Sequence, residues 1–152
     1  MTDVSDPRYL DLDPVTLAVR DMIAGSREVV ERIARRMEMG VNDVSAIGEL
    51  VQHGPMGATE LAGRLGIRTA SATTLIDRLE HSGHLQRTRD TVDRRRVTVT
   101  ETETARDAFA AAWGPLVAKI DAYCSSLSPA ERSTVLDFFG HLTKVVEAST
   151  ST

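Results

Sequence analysis

"TASATTLIDRLEHSGHLQRTRDTVDRRRVTVT", residues 69–100, changes its hydrophobic period half-way along. Up to Ser82 the apolar positions Ala72, Leu75, Ile76 and Leu79 recur three and four residues apart, the spacing of one helix face. After Gly83, "LQRTR" and "RRVTVT" alternate and are rich in β-branched residues, as strands are. Residues 90–94 between the two runs can turn, so the stretch predicts a helix over 69–82 followed at once by a β-hairpin. Just upstream, residues 58–65 put Leu61 and Leu65 on one helical face, and the short connector "GIR" with Gly66 joins the two helices into a helix-turn-helix. With the hairpin behind it, this becomes a winged helix-turn-helix.

Working outward, apolar residues at 15, 19, 22, 23, 29, 30, 33 and 37 form a helical stripe behind the start signal Asp13-Pro14, with Gly40 as the expected stop. A shorter helix over 42–53 carries Val44, Ile47, Leu50 and Val51 on one side and is stopped by "HGP". Beyond the hairpin, residues 103–126 repeat the long amphipathic pattern, with a kink expected at Gly114-Pro115 because proline donates no amide hydrogen to the carbonyl of Ala111. "SPAE", residues 128–131, is a capping box with proline at the first helical position, opening a last helix to about Ala148 with Val135, Phe138, Phe139, Leu142, Val145 and Val146 on one stripe. The fold class is therefore mainly α with a small β-hairpin wing: a winged helix-turn-helix core over 41–102, an N-terminal dimerisation helix within 1–40 and C-terminal dimerisation helices within 103–152. The terminal stripes carry more apolar surface than one small domain needs, which points to a homodimer.

Net charge is −4 over 152 residues, but it is unevenly spread. Between residues 64 and 96 stand eight arginines against four acids, leaving 10 basic and 18 acidic side chains elsewhere. A basic, all-arginine segment in an acidic host suits one face meeting a polyanion such as DNA. The lone Cys124 excludes an internal disulfide framework, the polar start "MTDVSDPRYL" is unlike a signal peptide, and no apolar run reaches membrane-spanning length, so a cytoplasmic protein is expected. No phosphate-binding glycine loop, H-E-x-x-H or paired nucleophile and base motif stands in the chain, so the reading is not an enzyme, with no cofactor and no metal. His81 and His84 in "HSGH" lack a third and fourth ligand nearby. Cys124, on an apolar stripe, is expected to be a buried packing residue.

Residues 54–103 resemble the winged helix of the multiple-antibiotic-resistance regulator (MarR) family, most specifically at "DRR" followed by "VTVT", which is similar to the family's wing signature D-x-R and its alternating strand. "ELAGRLGI", "LIDRLEHSGHLQR" and "LSPAER" fit the same layout. The resemblance implies a homodimer that binds a pseudo-palindromic operator in double-stranded DNA, usually to repress. It implies a recognition helix with Ala70, Ser71, Thr73 and Thr74 nearest the bases, and a wing in which Asp93 orients Arg95 toward the minor groove between Arg94 and Arg96. It also implies a space between dimerisation helices and winged helix where members often bind small, commonly phenolic or otherwise aromatic, effectors. Thr74 stands where many members have arginine, which shifts base readout toward hydroxyls and the wing. Val99 and Glu103 replace the usual leucine and glycine. Arg64, Arg68, Arg78, Arg87 and Arg89 are candidates for phosphate contacts or for surface ion pairs, Arg78 lying on the recognition helix itself. The expected function is a dimeric, sequence-specific transcriptional regulator; the alternative is an architectural or protein-interaction dimer with non-specific DNA binding.

Overall fold

The computed structural model describes residues 12–89 and 97–150. In chain order they form α1 (Pro14–Arg36), α2 (Val41–His53), α3 (Ala58–Leu65), α4 (Thr69–His81), β1 (Leu85–Arg89), β2 (Val97–Glu101), α5 (Glu103–Ser125) and α6 (Pro129–Thr150). The chain divides into two compact units between Ala112 and Trp113. The first unit therefore takes α5 past the boundary expected at residue 102, because Ala105 is fully buried in its core and Ala112 is buried as well.

That core is assembled from the stripes the sequence offers. Ala46, Ile47 and Leu50 of α2, Leu61 of α3, Leu75, Ile76 and Leu79 of α4, Leu85 of β1 and Val99 of β2 pack in one cluster, with Met39 and Phe109 against its edge. The antiparallel hairpin pairs Leu85 with Glu101 and Arg89 with Val97, and alternation sends Leu85 and Val99 inward. Met56 adds a one-residue bridge to the far edge of β2: its amide donates to the Val99 carbonyl at 3.1 Å, and the Val99 amide donates back at 2.8 Å. The wing's base is thus tied into the core from both sides.

Helix ends obey local chemistry. Asp13 Oδ1 accepts from the Val15 amide at 2.8 Å with Pro14 following, as expected for the start of α1. Gly83, at φ 77°, closes α4: its amide donates to the Glu80 carbonyl and the His84 amide to the Leu79 carbonyl, which together satisfy the last turn. The end of α1 departs from expectation. Helix α1 stops before Gly40, at a turn in which Glu38 takes the left-handed conformation, φ 55°, while the Met39 amide donates to the Ala34 carbonyl at 2.9 Å. Gly40 instead starts α2, where a Cβ would stand 3.1 Å from Asp43 Oδ2.

The second unit comprises the remainder of α5 and all of α6. Helix α5 continues through Gly114 and Pro115 without a break. The capping box forms as expected: the Ser128 amide and hydroxyl donate to Glu131 Oε2 at 2.8 and 2.6 Å. These bonds hold the Glu131 carboxyl below its usual range. Val117, Ile120, Tyr123, Val135, Leu136, Phe138, Phe139, Val145 and Val146 are exposed in the single chain, Tyr123 by 71%. Cys124 is exposed too, which corrects the expectation of a buried packing residue: its stripe-mates Val117 and Ile120 are exposed as well.

Candidate nucleic-acid interface

Helix α4 has two faces of different character. Ala72, Leu75, Ile76 and Leu79 are buried in the core, whereas Ala70, Ser71, Thr73, Thr74, Asp77 and Arg78 are exposed. The core grips the helix on one side and leaves a polar side free to enter a groove. No side chain caps its N-terminus, where Arg68 is the cap residue, and no acid stands in the first turn. The free amides and the positive end of the helix dipole are therefore open to a phosphate.

The threonine hydroxyls are partly committed. Thr73 Oγ1 donates to the Thr69 carbonyl at 3.0 Å and Thr74 Oγ1 to the Ala70 carbonyl at 3.2 Å. With their hydrogens engaged along the helix, what both present outward is an acceptor oxygen and a methyl group. Such a surface matches base amino groups and the thymine methyl. The sequence indicates hydroxyls on this face but not which way their hydrogens point.

Of the arginines singled out as phosphate contacts, three are held by carboxylates. Arg64 donates to Glu60 Oε1 at 3.2 Å, with Glu49 3.7 Å away. Arg78 donates to Asp43, and Arg87, on β1, donates to both Asp77 and Glu80 of α4. The Arg87 guanidinium has a raised pKa, chiefly through its bond with Asp77 against some opposing burial. The Arg64–Glu60 pair is legible as an i,i+4 spacing, whereas Arg87 meets Asp77 only once the hairpin folds back on α4. Arg68 is exposed, with no ion pair among the described residues. Arg89 sits at the end of β1, and Asp93, Arg94, Arg95 and Arg96 lie outside the described residues.

Two residues passed over in the sequence belong to this face. Between the start of α2 and α4 runs a cleft of about 380 Å³ lined by Asn42, Ile67, Ser71, Thr74, Leu75 and Arg78. Asp43, buried beside it, accepts from the Gly40 amide at 3.3 Å through one oxygen and from Arg78 through the other.

Comparison with known proteins supplies the family. The MarR family model matches residues 42–97, which span α2 to the first residue of β2. The HTH-type transcriptional regulator YcgE of Bacillus subtilis (strain 168), uncharacterized, is 30% identical over 125 residues, 81% of either chain. The chain belongs to the MarR family. It is a DNA-binding transcriptional regulator with a winged helix-turn-helix. A MarR family protein from Bacillus stearothermophilus shares the fold at TM-score 0.67 and 19% identity, over 92% of this chain and 99% of that one. NadR, solved in complex with 4-hydroxyphenylacetate, superposes at TM-score 0.66 with 18% identity, over 89% of this chain and 96% of NadR. Within this MarR-family chain, α3 and α4 form the helix-turn-helix and β1–β2 the wing.

Proposed function

We propose that this chain is a homodimeric, sequence-specific repressor that binds a pseudo-palindromic operator in the cytoplasm and is released by a small aromatic ligand. The observation that carries the reading is the outer face of α4: Ala70, Ser71, Thr73 and Thr74 are exposed on a helix whose other face is locked into the core. Ala70, Ser71, Thr73 and Thr74 then read base edges, Arg68 and the start of α4 meet phosphate, and the wing residues Asp93 and Arg95 reach the adjacent minor groove.

Dimerisation is supported by the apolar faces that α5 and α6 leave uncovered, from Val117 and Ile120 to Phe138, Phe139 and Val146. Exposed apolar residues in this number mark a protein–protein contact, and a two-fold pairing turns one α4 into two. Release by a ligand is supported by a second cavity, about 230 Å³, lined by Arg36, Met37, Met39, His84 and the α5 alanines Ala108, Ala111 and Ala112. Methionines and alanines offer an adaptable apolar wall and Arg36 a cation, which together suit a small ring bearing an acid. NadR, of the same fold, is a protein solved with such a compound.

Selection of bound DNA from a random duplex pool by the full-length protein tests the reading. An enriched inverted repeat with half-site centres about one helical turn apart is the expected result. Retention of DNA with steep salt dependence and no consensus would favour the architectural alternative. On the selected site, Arg95→Ala should weaken binding by roughly 1–3 kcal/mol. 4-Hydroxyphenylacetate at millimolar concentration tests release, and an unshifted complex would remove phenolic acids from the proposal.

A further inference from the structure

We infer that Asp43 is a positioning residue for DNA recognition, aiming the Arg78 guanidinium at a base edge rather than at a phosphate. The inference rests on the reading of α4 as the base-reading helix, and the cleft beside α2 deepens that reading. Ser71, Thr74 and Arg78 fall at i, i+3 and i+7 of α4, on one stripe that borders the cleft. Long side chains on a helix lean toward its N-terminus, so Arg78 reaches back over the turn occupied by Thr74. There it meets Asp43. The carboxylate is itself fixed, with a side chain 11% exposed and its second oxygen taking the Gly40 amide, and Gly40 leaves just enough room for that oxygen.

Arg78 nevertheless keeps 59% of its side chain open to solvent. One nitrogen is held by Asp43, and the rest of the fork remains exposed beside the hydroxyls of Ser71 and Thr74. Arg78 and Asp43 together carry almost no net charge, so the pair gains little from a phosphate and releases few counterions. What the guanidinium retains is orientation, the property a bidentate contact with guanine O6 and N7 demands. Arg78, one turn beyond Thr74 along the same stripe, brings a guanidinium to that side of the helix.

The experiment uses the full-length protein and the site selected by the wild type, with every half-site base pair replaced in turn and affinity read at several salt concentrations. Arg78→Ala and Asp43→Asn are expected to flatten preference at the same one or two base pairs, by roughly 5- to 150-fold, the range of a bidentate base contact. Asp43→Asn should do so while steepening the salt slope by up to about one, because it uncovers the Arg78 charge, and Arg78→Lys, which keeps the charge but not the fork, should lose the same preference. Tighter binding of every sequence by Asp43→Asn with the base-pair preferences left intact would overturn the inference, since it would mean that Arg78 meets a phosphate and had been restrained by a competing carboxylate. Preferences untouched in Arg78→Ala and Arg78→Lys would overturn it equally. Thermal unfolding is followed alongside: should Asp43→Asn be unfolded at the assay temperature, Arg78→Lys decides alone. A wild type that selects no consensus overturns the underlying reading and this assignment together, whereas a clear consensus indifferent to all three variants overturns only the assignment.

Discussion

At the scale of single residues, the two acids buried among the described residues, Asp43 and Glu101, each hold an arginine that stays largely exposed. Glu101 ends β2 and receives Arg106 Nε at 2.9 Å and the Thr100 hydroxyl at 3.1 Å. Burial works to raise its pKa, but the bonds from Arg106, its own backbone amide and Thr100 outweigh that and bring it below 4.5. A carboxyl depressed in the folded state stabilises the protein fully above its unfolded value, and that contribution is lost as pH falls through the folded one. Glu101→Gln should therefore lower stability by about 1–2 kcal/mol at pH 7 and by progressively less below about pH 4.5, where the wild type has itself begun to lose the interaction. Urea unfolding at pH 7 and pH 3 measures this; an equal deficit at both would refute the electrostatic account. Glu38 sits at φ 55°, a conformation that is strained for a residue with a Cβ. Glu38→Gly should raise the stability by about 0.5–1 kcal/mol, read as a higher denaturant midpoint, because nothing but the backbone changes at an exposed position.

At the scale of elements, start and stop signals act over a few residues and so can be read in a sequence. Asp13-Pro14, Gly66, Gly83 and the Ser128–Glu131 box all do what their chemistry dictates. Ser128→Ala should accordingly cost about 1 kcal/mol and fray the start of α6, visible as faster amide exchange over residues 129–132. The helix-turn-helix and its hairpin were legible because one period of 3.6 gives way to one of 2 within residues 69–100. What a period cannot report is a partner distant in sequence. Arg78 and Asp43 are 35 positions apart, and Arg87 lies ten from Asp77, so an arginine destined for a carboxylate looks the same in the sequence as one left free. Periodicity also cannot say whether an apolar stripe meets its own chain. Cys124 shares the pattern of a core residue yet is exposed, whereas Ala105, at the start of the same stripe, is fully buried. Likewise, the end of α1 was hidden because a glutamate adopts the turn that Gly40 was better suited to supply.

At the scale of the whole molecule, the uncovered aromatic and branched residues of α5 and α6 make self-association the property to measure. Phe138→Asp paired with Phe139→Asp should convert a dimer to a monomer in sedimentation at micromolar concentration while leaving the helical signal largely intact, since both rings are 38% or more exposed in the single chain. A double variant that sediments unchanged would place the contact elsewhere. The monomer should also lose operator affinity far beyond the loss from any single contact, because two linked half-sites act at high effective concentration. Arg64, Arg78 and Arg87, the candidate DNA-contacting arginines that carboxylates already bind, carry a consequence for how such a regulator finds its site. On arbitrary DNA they offer little pull, in a chain that is acidic overall. Dwell times away from the operator should then be short, fewer copies would be tied up along the rest of the chromosome, and a small pool of molecules would suffice to keep one target occupied.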